Sequence, residues 1–282
     1  MTMDKPTRTP LDPAALRERL AEAGYRHVEV VEQTGSTNTD IADRVRLSDE
    51  LPDMSVLLAE EQTAGRGRKG RAFFAPAHSQ VICSVLIRVT EVPVERISLL
   101  PLLTGLSIAE AVRSSSGLAA TVKWPNDVTY EGRKLSGILV EAAHLQPHAA
   151  LILGFGVNYD LQPGEIPVEH ASSIAVLCDT VPSREDFTVE ILKTLAENLA
   201  RWRNLGGAPQ TILPRYRELS STLNTQVRAH LPGNKTLVGR AVAIDDDGEL
   251  IIRTEDGQRH TVRAGEIVHL RPDGTGDYGG AY

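Results

Sequence analysis

The sequence predicts an α+β fold: a mixed or antiparallel sheet with helices, followed by a small C-terminal SH3-like β barrel. Three observations carry this. Apolar, β-branched runs are interleaved with helix-patterned segments as far as Leu219. Two of those runs, Val128 to Tyr130 and Lys134 to Glu141, flank a Glu131-Gly132 turn and read as an antiparallel hairpin. From Thr225 the texture changes to short β-branched runs (Gln226–His230, Leu237–Ile244, Leu250–Thr254, Arg259–Arg263). These are split by Pro232-Gly233, Asp247-Gly248 and Asp256-Gly257, the pattern of a small module of hairpins.

Taken in order, residues 1–11 read as a disordered lead. Asp12-Pro13 is a helix start, with Asp as N-cap and Pro at the first helical position, and Gly24 ends that helix. His27 to Glu32 alternates as a strand does, and a helix is expected over about Thr39 to Arg46. A strand is expected over Ser55 to Glu60, and Val81 to Val89 is a buried strand. Ile97 to Val112 is a long apolar helix in which Pro101 is tolerable only near the first turn. Thr121 to Lys123 is a short strand. Ala149 to Val157 is another, weakened by Gly154 and Gly156, which leave room for a close neighbour. Two helices follow, about Asp186 to Asn204 and Gln210 to Leu219. The resulting division is a main domain over 12–222, the β module over 223–271 and a disordered Gly/Asp-rich tail over 272–282.

Composition narrows the function. The chain has 282 residues, with 41% apolar and 24% charged side chains, an ordinary globular balance. A net charge of −7 argues against a general nucleic-acid binder, which carries a broad basic field. Cys83 and Cys178 are too few for a disulfide framework, lack clustered zinc partners and read as buried thiols. No apolar run approaches the ~20 residues of a membrane span, and Met1 to Pro10 has no signal-peptide core, so the expected location is cytoplasmic.

Against this acidic background, Gly65-Arg66-Gly67-Arg68-Lys69-Gly70-Arg71 packs three glycines and four cations into seven residues. Glycine permits close backbone approach, and guanidinium forks suit phosphate and carboxylate oxygens. The stretch also satisfies G-x-G-x-x-G, but Ala72-Phe73-Phe74-Ala75-Pro76 does not open the helix that a dinucleotide fingerprint requires. Ser36-Thr37-Asn38 reads either as a helix cap or as hydroxyls lining a polar pocket. Gln62, three residues before the loop, offers an amide donor and acceptor. Lys123-Trp124-Pro125-Asn126-Asp127 is a stiff aromatic strand end whose Asn and Asp form an Asx turn or contact a ligand or a magnesium shell. Lys134 opens an apolar strand. All four motifs fall at strand ends or adjoining loops, where a sheet scaffold builds a site.

Gly35-Ser36-Thr37-Asn38, Glu61-Gln62-Thr63-Ala64-Gly65-Arg66-Gly67-Arg68-Lys69-Gly70-Arg71, Lys123 to Asp127 and Arg133-Lys134-Leu135-Ser136-Gly137-Ile138-Leu139-Val140-Glu141, in that order, resemble the biotin–protein ligases over about residues 27–270. The resemblance implies the class II synthetase-like fold of that family, with 12–222 as its catalytic domain. It implies an ATP-dependent ligase that makes biotinyl-5′-AMP from biotin and MgATP and passes biotin to a lysine of a biotin carboxyl carrier domain. It implies catalytic roles for Lys134, Arg66 and Arg68. The biotin site would comprise Ser36, Thr37, Asn38, Gln62, Gly65, Arg66, Gly67, Arg68 and Lys134. Phe73, Lys123, Asn126 and Asn158 would serve the nucleotide, and Asp127 would be a candidate magnesium contact. Where some relatives carry Trp after the loop, this chain has Phe73 or Phe74. The stretch before residue 27 is too short for the winged-helix domain of bifunctional relatives, so the resemblance implies a monofunctional ligase with no DNA partner; no membrane partner is expected, and a homodimer is compatible with it. Three other readings stand beside it: a lipoate or octanoate ligase, a biotin-sensing protein without turnover, and an NAD-binding oxidoreductase.

Overall fold

A computed structural model describes residues 8–47, 51–68, 76–146, 148–166, 170–178, 180–231, 235–263, 266–270 and 277–278. The chain forms two sheets. The larger has seven strands in the order β1-β2-β3-β7-β6-β5-β4: β1 (His27–Thr34), β2 (Ser55–Gln62), β3 (Gln80–Val89), β4 (Thr121–Lys123), β5 (Asp127–Tyr130), β6 (Arg133–His144) and β7 (Ala149–Asn158). Only β1 and β2 run parallel; the other neighbours are antiparallel. The expected α+β class holds.

The helices divide between the two faces of this sheet. α1 (Pro13–Ala21), α3 (Leu100–Ser116) and α5 (Arg184–Asn204) bury Leu16, Leu103, Val112, Phe187, Leu195 and Trp202 against one face, where Val81, Cys83, Val85, Leu153 and Phe155 point. The opposite face carries a smaller cluster in which Ile41 and Val45 of α2 (Thr37–Leu47) meet Leu57, Leu86 and Ile152. One periodicity explains both. Successive side chains of a strand point to opposite faces, so a run apolar at every position is buried twice.

Local chemistry sets the element ends. Asp12 Oδ1 accepts hydrogen bonds from the amides of Ala14 and Ala15, as the N-cap reading requires. Glu131 and Gly132 both have positive φ, 49° and 77°, as a two-residue hairpin turn needs. Pro101 lies in the first turn of α3, after a 3-10 turn over Val94–Leu99. Val94–Ser116 is long and apolar enough to cross a membrane, which corrects the expectation that no such stretch exists. It is a core helix here: Leu100, Leu103, Ala109 and Ala111 are fully buried. The second late helix is also shorter than expected. A 3-10 turn at Pro209–Thr211 precedes α6 (Leu213–Leu219), because Ile212, at φ −121° and ψ −52°, interrupts the α geometry.

The C-terminal module is an antiparallel sheet in the order β11-β10-β9-β8-β12-β13, consistent with an SH3-like fold. It comprises β8 (Gln226–Leu231), β9 (Lys235–Ile244), β10 (Leu250–Arg253), β11 (Arg259–Val262), β12 (Glu266–Leu270) and β13 (Asp277–Tyr278). β12 returns to pair with β8, a non-local pairing the hairpin pattern did not show. Trp124 joins the two sheets: its amide donates to Thr222 Oγ1 at 3.0 Å and its indole N–H donates to the Gly248 carbonyl at 2.9 Å.

At the N-terminus the expected disordered lead is corrected for residues 8–11. Leu11 is buried in the core, and Arg8 is held by Asp160 and Glu165. Residues 1–7 lie outside the described residues, as does most of 272–282; within the latter, Asp277–Tyr278 pairs with β12.

Candidate active site

Strand register builds the floor of the site. On the α2 face, Ala59, Ile82, Gly156, Gly137, Asp127 and Lys123 form one transverse row across β2-β3-β7-β6-β5-β4. The next row on the same face contains Leu57, Ser84, Gly154 and Leu139. Three glycines (Gly137, Gly154 and Gly156) therefore meet at the centre of one face, where no side chain rises from the sheet.

The amino end of α2 hangs over this floor. Thr37 and Asn38 lie inside the first turn of the helix, which starts two residues earlier than the sequence suggests, and Ser36 precedes it. Gln62 Oε1 accepts from the Thr37 amide at 2.9 Å and lies 3.1 Å from the Thr37 hydroxyl. Ser84 Oγ lies 2.7 Å from Thr37 Oγ1 and 2.6 Å from Asn38 Oδ1. Asn38 Nδ2 donates to the Leu139 carbonyl at 3.2 Å and to Glu141 Oε2 at 2.7 Å. Ser36, Thr37, Asn38, Gln62 and Ser84 are all buried, so the polar atoms converge in low dielectric, where a satisfied network is rigid. Asn38 fits only because residue 154 is glycine: a Cβ there would stand 2.2 Å from Asn38 Oδ1.

A β-bulge aims Lys134. Val128 pairs with Ser136, but Thr129 pairs with Lys134, so Leu135 is an extra residue in β6. Without it, Lys134 would share the face of Ser136 and Ile138, and Ile138 points at α3, its Cδ1 3.7 Å from where a Gly105 Cβ would be. With the bulge, the ammonium reaches the site face. Nζ lies 2.8 Å from Asp127 Oδ1 and 3.2 Å from the position of a Gly137 Cβ. The backbone of Lys134 is clamped as well. Its N–H donates to the His170 carbonyl at 2.7 Å, and its carbonyl accepts from the Ser172 amide at 3.0 Å.

The arginine loop leaves from the end of β2. Its first residues are pinned, the Thr63 and Ala64 amides each donating at 2.9 Å, to the carbonyls of Thr34 and Gly35. Arg66 and Arg68 then diverge. Arg66 Nη2 donates to Thr39 Oγ1 at 2.8 Å on α2, with Glu141 Oε1 at 3.9 Å. Arg68 Nη1 donates to Asn126 Oδ1 at 3.0 Å, near the other side of the glycine floor. Gly67 lies between them, and Gly65 is buried at the base. Asn126 is fixed in turn, with Nδ2 donating to the Ile138 carbonyl at 2.9 Å. Lys69 to Ala75, which include Phe73 and Phe74, lie outside the described residues.

Most expected site residues therefore come together, with two qualifications. Lys123 is buried beside Asp127 in the adjoining strand. Asn158 is buried and its amide is committed to the scaffold: Nδ2 donates to the Ser172 carbonyl at 2.9 Å, and Oδ1 accepts from Gln80 Nε2 at 2.8 Å. Gly137 and Glu141 lie in the 133–141 motif without a role that the sequence assigns, and Ser84 lies outside every motif, its one signal being a lone serine within the apolar run 81–89. Among the described residues, no group of three or more His, Cys, Asp or Glu side chains could hold a metal. Asp127 supplies one carboxylate, which fits a magnesium ion only if that ion arrives with nucleotide phosphates and keeps most of its other ligands. Cys83 is fully buried, and burial pushes its thiol far above the usual range, so it is no nucleophile.

The family model "Biotin/lipoate A/B protein ligase family" matches residues 30–158, and "Biotin protein ligase C terminal domain" matches residues 222–270. The chain is 40% identical over 269 residues to the biotin--[acetyl-CoA-carboxylase] ligase of Mycobacterium tuberculosis, covering 94% of this chain and 97% of the relative. It is 30% identical over 253 residues to the bifunctional ligase/repressor BirA of Escherichia coli, covering 89% of this chain and 76% of that protein. Among solved structures, the biotin protein ligase from Aquifex aeolicus in complex with biotin and ATP superposes with a TM-score of 0.69 at 26% identity, over 88% of this chain and all of that one. The glycine floor, the bulged lysine and the two loop arginines all lie within residues 30–158, the range the first family model matches, and the chain belongs to the biotin protein ligases of the biotin/lipoate A/B protein ligase family.

Proposed function

We propose that the chain is an ATP-dependent biotin–protein ligase that biotinylates a carboxyl carrier domain. One observation carries the reading. It is supported by a floor of glycines flanked by a buried polar cluster with Arg66 on the α2 side, and by Arg68 and Lys134 beside Asn126 and Asp127 on the other. A neutral, hydrogen-bonding head group suits the first, and an anionic tail being activated suits the second.

In the first step a biotin carboxylate oxygen attacks the α-phosphorus of ATP. The bond from that phosphorus to the bridging oxygen breaks, and pyrophosphate leaves. Both reactants are anions, so the barrier is largely electrostatic, and fixed cations lower it more than water does. Lys134 is assigned to the carboxylate and the α-phosphate, and Arg66 and Arg68 to the adenylate. Asn126 and Lys123 lie beside the phosphates. Ser36, Thr37, Asn38 and Gln62 hold the ureido ring and its surroundings. Magnesium would be carried by the triphosphate, with Asp127 the residue placed to touch it, and would neutralise phosphate charge. In the second step the neutral amine of a carrier lysine attacks the acyl carbonyl, an amide forms, AMP leaves and the amine loses its proton. Closure of the arginine loop keeps water from the mixed anhydride.

Incubation of the purified chain with biotin, MgATP and a biotin carboxyl carrier domain tests the proposal by mass spectrometry. The expected result is a biotinyl-lysine adduct that excess free lipoate does not suppress. Lipoyl transfer in its place would move the chain to the lipoate branch, and tight biotin binding without transfer would make it a sensor.

A further inference from the structure

We propose that Arg8 is a positioning residue for Lys134, acting through the loop that follows β7; the inference rests on the ligase reading above. The Arg8 side chain is only 11% exposed and its guanidinium is fully engaged. Nε donates to Asp160 Oδ2 at 3.2 Å, Nη2 to the Asp160 carbonyl at 2.6 Å, and Nη1 to Glu165 Oε1 at 3.3 Å, while Nη2 also pairs with Glu165 Oε2. Such planar, multidentate recognition fixes geometry as well as charge. Residues 8–11 form a strap that is tied down beyond Arg8. The Thr9 carbonyl accepts from Arg184 Nη2 at 3.0 Å, the Leu11 amide donates to Glu60 Oε1 at 2.6 Å, and the Leu11 side chain is in the core.

The loop so gripped is the one that seats the lysine. Gln162 Nε2 donates to Asp160 Oδ1 at 2.5 Å, and the Gln162 amide donates to Glu165 Oε2 at 3.0 Å, so the two carboxylates organise the turn. Ser173 Oγ then donates to the Leu161 carbonyl at 2.8 Å, tying the turn to the segment beside Lys134. That segment brackets Lys134, with the His170 carbonyl on its N–H, the Ser172 amide on its carbonyl and a parallel bridge at Ala171. The path from Arg8 to Lys134 is an unbroken series of hydrogen bonds and short peptide segments. It ends on the backbone of the residue whose ammonium must meet the reacting carboxylate, where a misplacement of about 1 Å can cost 10²-fold in rate.

Biotin-dependent ATP–pyrophosphate exchange by the full chain, together with calorimetric biotin binding, tests the inference. Arg8→Ala is expected to lower kcat by about tenfold to a hundredfold with little change in the KM for ATP. Arg8→Lys should recover little, because an ammonium has no fork. Glu165→Gln, nearly isosteric, should give a smaller loss in the same direction and serves if Arg8→Ala does not fold. Arg203→Ala, which breaks the Asp53 pair away from the site, should lower the melting temperature yet keep kcat. Arg8→Ala should weaken biotin binding in the wild-type background but not in Lys134→Ala. If Arg8→Ala and Glu165→Gln keep full kcat, or if Arg8→Ala weakens biotin equally without Lys134, the strap has no positioning role. Wild-type chain without exchange activity would instead sink the ligase reading itself.

Discussion

Gly137 holds open the space that the Lys134 ammonium occupies: a Cβ at residue 137 would lie 3.2 Å from Nζ and 3.3 Å from Cε. The contact would fall on the far end of a flexible side chain, so an added methyl displaces the ammonium rather than the sheet. Gly137→Ala is accordingly expected to leave the fold intact and to lower biotin-dependent pyrophosphate exchange by about tenfold or more, since catalysis depends on near-ångström placement. Thermal melting alongside the exchange assay checks both halves.

Gly154 is the contrasting case. A Cβ there would be 2.2 Å from Asn38 Oδ1, and Asn38 is held by Ser84, Leu139 and Glu141, so it has no free direction in which to yield. Gly154→Ala should cost about 1–3 kcal/mol of stability through overpacking and should weaken biotin binding by disrupting the polar cluster. Denaturant unfolding and calorimetry measure the two effects.

Arg68 and Asn126 join the loop to the strand end that carries Asp127. Arg68→Ala is expected to reduce adenylate formation by about 10²–10³-fold, the usual cost of losing one charge-stabilising donor, or to release the adenylate before transfer. Chromatography of free biotinyl-5′-AMP in the absence of carrier distinguishes slow formation from leakage.

Much of this site was legible in the sequence because its chemistry is concentrated in contiguous motifs. Residues 36–38, 65–68, 123–127 and 133–141 each contribute from a strand or the loop beside it. What was hidden depends on register and on distant contacts. The strand period puts Gly154 and Gly156 on one face, but no local pattern announces that Gly137 joins them there, since that follows from how β6 and β7 align. The bulge at Leu135 that turns Lys134 toward the site is likewise a property of pairing with β5. Residues 8–11 look featureless in composition, and only Asp160, Glu165, Glu60 and Arg184 give them fixed places.

Stability should depend on pH through Asp53. Burial disfavours its charge, but the Arg203 fork, at 2.7 and 2.9 Å, and the Arg88 amide, at 2.7 Å, outweigh that and hold the carboxyl below the usual aspartate range. Because the folded-state value is depressed, the contribution is complete above the unfolded aspartate value of about 3.9 and disappears as pH falls through the lower folded value. Asp53→Asn should therefore melt below wild type at pH 7, with the gap closing below about pH 4. A constant gap across that window would assign the effect to packing instead.

The most direct test of the account places Lys134 at the centre of biotin transfer. The wild-type chain and Lys134→Ala, both verified as folded, are incubated with biotin, MgATP and a carrier domain, and intact carrier mass is followed over time. The account predicts stoichiometric biotinylation of one carrier lysine by wild type and none above background by Lys134→Ala. Equal labelling by the two proteins, or no labelling by wild type despite bound biotin, would contradict it.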